Sequence, residues 1–115
     1  MRHGSLHDAA SGEALVPAVV CAESAGERMR GLLGRRPLAA GEGLLLAPCT
    51  SVHTFFMRYS IDLVYLDHDG RVLKVVPALP PWRLSAARRA HATLELAAGG
   101  ALAAGLHPGR RVLFA

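Results

Sequence analysis

Apolar residues in this chain come in short runs rather than in long helical stretches. LVPAVVCAE (15–23), GLLLAP (43–48), SVHTFFM (51–57), IDLVYLD (61–67), RVLKVV (71–76), a stretch within 91–96 and RRVLFA (110–115) are all of strand length. Most are rich in Val and Leu, and several are bounded by Gly, Pro or Asp, as strands joined by turns are. DHDG (67–70) sets Asp-Gly directly before RVLKVV and predicts a hairpin between 61–67 and 71–76. Pro17 places the first strand at a strand start or a sheet edge. PALPPWRLS (77–85) carries three prolines and reads as an extended loop.

Helical periodicity is confined to two places. Ser24 and Glu27 form an S-x-x-E capping box, and Met29, Leu32 and Leu33 follow at spacings of three and four. Gly34, two arginines and Pro37 supply the stop, so a main helix is predicted near residues 24–34. AAGGALAAGL predicts a second short helix near 97–105. Residues 1–12 show no periodicity and read as a flexible N-terminal tail, leaving 13–115 as a single domain. The fold class expected is mainly β (α+β). Six to seven short strands would form a small curled or barrel-like, mostly antiparallel sheet.

Composition narrows the function classes. A chain of 115 residues that is 51% hydrophobic can build a core without disulfides or metals. The formal charge of +4 raises nucleic acid as a partner, but twelve of the thirteen basic residues are Arg, scattered along the chain with no aromatic interleaving. An Arg-over-Lys, Ala-rich bias is what a GC-rich bacterial genome gives. The pattern therefore argues against nucleic acid. Cys21 and Cys49 form no CxxC and no disulfide framework, which fits a reducing compartment. No run reaches the roughly 18 apolar residues of a membrane span, and the N-terminus lacks the apolar core of a signal peptide. The expectation is a cytoplasmic chain without a membrane span, monomeric or weakly dimeric.

The chemistry-bearing residues concentrate in CTSVHTFFMRYSIDLVYLD (49–67). Strand alternation puts Cys49, His53 and Met57 on one face and Arg58 on the other. Successive members of the first set stand about 13 Å apart at strand rise, too far to share one metal. The other histidines are scattered, so neither a metal nor another cofactor is expected. A Cys49–His53 nucleophile pair requires a bend in the strand, and the simpler reading of Cys49 is a packed thiol. Asp62 lies within a run built for burial, where a carboxylate is costly unless paired or hydrogen-bonded. Arg58 and Arg28 are available partners, and Glu95 in TLEL raises the same issue. Either these acids satisfy the core or they floor a pocket. Trp82, the single tryptophan, reads either as a rim over that pocket or as a plug for the core end.

An ordered series of short motifs runs through most of the chain. It comprises Gly31-Leu32-Leu33 after an Arg, Gly43-Leu44-Leu45, Phe56-Met57, Ile61-Asp62, Leu94-Glu95, and Gly105-Leu106 with Gly109. In this the chain resembles the DUF192 (UPF0127) family, over about residues 15–115. It departs from the family pattern after Met57, where Arg58, Tyr59 and Ser60 stand, and at Arg110, where an Asp is usual. The resemblance implies a small β-rich domain with a helix and no established activity. The reading that follows is a binding or accessory module for a small molecule or peptide, with a pocket formed by Arg28, His53, Met57, Arg58, Asp62 and Trp82. Two alternatives stand beside it. One is a hydrolase or transferase using His53 with Cys49 or Asp62; the other is an assembly accessory that binds another protein through a sheet edge or an apolar patch.

Overall fold

The computed structural model describes residues 1–24 and 37–115. The strands are β1 (Arg2–Asp8), β2 (Ala14–Ala22), β3 (Glu42–Leu46), β4 (Ser51–His53), β5 (Ile61–Leu66), β6 (Val72–Leu79), β7 (Leu84–Ala86), β8 (Ala92–Ala97) and β9 (Val112–Phe114). One short helix, α1 (Gly100–Ala103), follows β8. Seven strands form a main sheet in the order β6-β5-β8-β3-β2-β1-β9, and β4 pairs with β7 in a second, two-stranded sheet. Every pairing is antiparallel except β2 with β3, which run parallel.

The main sheet curls until its two edges meet at one end. Arg71 and Arg111 form a bridge between the segments leading into β6 and β9. The Val112 amide donates to the Gly70 carbonyl (2.9 Å), and the Val72 amide donates to that of Arg110 (2.8 Å). The result is the curled, mostly antiparallel half-barrel that the strand pattern predicted.

Strands at the middle of this sheet are buried on both faces, which is why their sequences are continuous apolar runs. Along β5, Val64 and Leu66 face a cluster with Leu6, Val19, Leu94, Leu106 and Val112. Ile61, Leu63 and Tyr65 face the opposite cluster with Leu44, Leu46, Val52 and Ala90. The β4–β7 sheet lies on this second side, contributing Val52 to that cluster and Ser85 Oγ to the Tyr65 hydroxyl at 2.8 Å.

Several local expectations are corrected. Residues 2–8 are not a tail: they form β1, hydrogen-bonded between β2 and β9, with Leu6 in the core. Their pairing is carried by the backbone, so the polar side chains gave no periodic signal. The strand expected over 51–57 stops at His53, because Phe56 adopts a left-handed φ of 67° and the chain turns. The loop expected over 77–85 is divided: β6 runs on through Pro77 to Leu79, and 84–86 form β7. Pro77 is accommodated because β6 is an edge strand and carries a bulge there, with Pro77 and Ala78 together opposite Asp62. The short helix near 97–105 is present as α1. The main helix expected near 24–34 lies outside the described residues.

Gly70 sits where the two sheet edges join. It has φ +79°, and a Cβ there would stand 2.2 Å from the Val112 carbonyl oxygen. Gly12 shares the left-handed backbone (φ +77°) but has nothing within 4 Å. Gly70→Ala should therefore cost roughly 2–4 kcal/mol in urea unfolding, left-handed strain plus a clash with backbone. Gly12→Ala should cost only about 1–2 kcal/mol, the strain alone.

Candidate functional site

Asp62 is the second residue of β5, with 1% of its surface exposed. Its Oδ1 accepts the Ala78 amide of the β6 bulge at 2.8 Å. Its Oδ2 accepts the Gly99 and Ala101 amides at the start of α1, at 3.1 and 3.0 Å. Ala78 itself has a left-handed φ of 47°. The carboxylate thus fastens a strained bulge on one side and caps a helix on the other. Both of its oxygens are spent on backbone.

The remaining expected site residues do not converge on Asp62. His53 is exposed at the end of β4, Arg58 is exposed, and Met57 is half-buried against the second core cluster. Arg28 lies outside the described residues. Cys49 Sγ donates to the Ser51 carbonyl at 3.2 Å, and His53 Nδ1 accepts the Phe55 amide at 3.3 Å. No hydrogen bond among the described residues joins His53 to Cys49 or to Asp62, as a hydrolase built on either pair requires. Among the described residues no three His, Cys, Asp or Glu side chains are grouped to hold a metal.

His53 and Trp82 do come together, through residues the sequence reading passed over. The His53 ring stacks on Phe55 (centroids 4.9 Å apart), Phe55 on Trp82 (5.8 Å), and Phe56 packs at a tilt against Trp82 (4.7 Å). Phe56 is 68% exposed, Trp82 55%, and Leu84, paired with His53 across β4–β7, 73%. Phe56 and Trp82 both carry positive φ (67° and 64°), a conformation that costs a bulky residue about 1–2 kcal/mol.

A single buried threonine holds the two turns that carry these rings. Thr54 Oγ1 donates to the Pro80 carbonyl (2.7 Å) and accepts the Arg83 amide (2.9 Å). The Thr54 carbonyl accepts the amides of Met57 (3.2 Å) and Trp82 (3.0 Å), and its own amide donates to Arg83 (2.9 Å). Neither turn is free to relax its strained residue without breaking this network.

Comparison with known proteins fits the fold. The DUF192 family, described as "Uncharacterized ACR", matches residues 7–114. The chain belongs to the DUF192 family. A Novosphingobium aromaticivorans protein of unknown function has a similar solved structure. Its TM-score is 0.83 at 21% identity, with 96% of this chain and 84% of that one covered. A Sinorhizobium meliloti protein, described as a candidate transcription regulator, aligns with a TM-score of 0.82 at 24% identity, covering 97% of this chain and 92% of that one. No curated protein matches. At these identities the solved structures bear on the fold alone.

Within the DUF192 motif series, the two acids have different fates. Asp62 is satisfied, whereas Glu95 in β8 is buried and its Oε2 has no hydrogen-bond partner among the described residues. The Tyr59 hydroxyl is likewise buried and has no partner among the described residues. Burial pushes the Glu95 carboxyl up to about 7. Burial and the Glu95 charge raise the Tyr59 phenol. The turn at Arg110 is held by the arginine: its Nε donates to Asp8 (3.0 Å) and an Nη donates to the Gly105 carbonyl (2.9 Å). Among the described residues no helix is long and apolar enough to cross a membrane.

Folded protein keeps the Glu95 proton up to about pH 7, while the unfolded chain releases it near 4.5. The unfolding free energy should fall as pH rises through that window, by about 3 kcal/mol on this account, and level off above it. Denaturant titrations from pH 4 to 8 should show this slope in the native sequence and lose it in Glu95→Gln.

Proposed function

We propose that this DUF192 protein is a binding module rather than a catalyst, and that its recognition surface is the aromatic platform of His53, Phe55, Phe56, Trp82 and Leu84. The polar pocket expected around Asp62 gives way to this surface, because Asp62 is consumed by backbone. One observation carries the reading. Two bulky aromatics are held in left-handed backbone at turn tips, yet they gain little burial there. Strain retained at exposed residues, and enforced by a buried Thr54 network, is the mark of a site kept for a partner.

This reading makes the platform dispensable to the fold. Phe56→Gly and Trp82→Gly relieve about 1–2 kcal/mol of strain each. They lose about 0.5–1.5 kcal/mol of ring contact and a similar amount to glycine's added chain entropy. Each variant should unfold in urea within about 1 kcal/mol of the native protein. A loss of about 3 kcal/mol or more would place the rings in the core and end the proposal.

A further inference from the structure

Resting on that reading of the platform, we propose that its partner is the surface of an anionic lipid bilayer, with Phe56, Trp82 and Leu84 entering the interfacial region and Arg58 and Arg83 meeting the headgroup phosphates. Charge is the first argument. Arg58, Arg83, Arg88 and Arg89 are exposed on or beside the β4–β7 layer, and residues 43–61 and 70–94 contain no Asp or Glu. An apolar tip carried on segments that hold exposed arginines and no acids complements an anionic interface.

The shape of the patch selects among anionic partners. Its three exposed side chains offer on the order of 400 Å², given about 150–250 Å² for a full aromatic. A stable protein interface needs about 800 Å² per partner. Single-stranded nucleic acid needs free ring faces on which bases stack. Here His53, Phe55 and Trp82 are stacked on one another and Phe56 packs against Trp82, so much of the ring-face area is taken. A bilayer interface makes no such geometric demand, and tryptophan is enriched there. Residues at turn tips are also placed to enter it without unfolding any strand.

Trp82 is the only tryptophan, so its emission reports this site alone. The 115-residue protein is titrated with vesicles of phosphatidylglycerol and, separately, of phosphatidylcholine. The proposal expects emission to move to shorter wavelength with phosphatidylglycerol, and much less with phosphatidylcholine. Partition should weaken about tenfold or more between about 0.05 and 0.5 M salt. Phe56→Ser and Leu84→Ser should each weaken it about tenfold. Leu102→Ser, which changes an 88% exposed leucine on α1, should leave it unchanged. Leu84 lies outside the strained turns, so its variant stays informative if Phe56→Ser folds poorly. An unmoved emission at millimolar phosphatidylglycerol overturns the proposal. So does a shift that survives the Phe56/Leu84 double substitution, or one produced by oligothymidine but not by vesicles. A stable Phe56→Gly variant with no vesicle response in the native protein removes the bilayer and leaves the binding surface standing. An unstable Phe56→Gly variant removes both.

Discussion

A carboxylate sealed within a sheet must find hydrogen bonds or lose its charge. Asp62 finds three, and the arrangement around it follows from them. The Ala78 amide becomes available only because β6 bulges and turns left-handed at that residue. The Gly99 and Ala101 amides become available only because β8 ends in a glycine-rich turn into α1. One side chain in the strand beside the edge therefore sets where the edge strand bends and where the helix starts. It also lets β6 carry Pro77 and still rejoin its register at Leu79.

That bend leads into the segment that carries the platform. After Leu79 the chain passes through Pro80, Pro81 and Trp82 into β7, where Thr54 receives it. Core and surface are thus linked by the Thr54 hydrogen bonds as well as by Val52, Met57 and Leu79 in or against the second apolar cluster. The core side is satisfied and rigid; the surface side stores strain in two exposed aromatics. Glu95 is the exception within the sheet, a buried acid with an oxygen that has no partner among the described residues and a proton held by desolvation. It ties stability to pH without taking part in the platform.

Much of the fold was legible because the strands at the sheet centre are buried on both faces. IDLVYL and ATLELA can only be apolar runs broken by an acid, and they read as strands at once. What was not legible depends on backbone. β1 is held by amides and carbonyls that any sequence supplies, so RHGSLHD looked like a tail. Phe56 looked like part of a strand because no residue type announces a left-handed phenylalanine; only the Thr54 network imposes it. Asp62 was correctly picked out as exceptional, but sequence could not distinguish a carboxylate waiting for a ligand from one already bonded to three amides. His53 and Trp82 were both singled out, and their meeting required β4 and β7 to pair across a segment read as loop.

Asp62, buried in the sheet, organises the β6 bulge and the start of α1, while the proposed recognition surface is the exposed aromatics. Amide hydrogen exchange in the native protein and in Asp62→Asn tests it most directly. Ala78, Gly99 and Ala101 should exchange as slowly as the global unfolding limit in the native protein and lose protection together in the variant. Trp82 emission should stay unchanged. Unaltered protection at those three amides, or a Trp82 environment that changes with them, would contradict it.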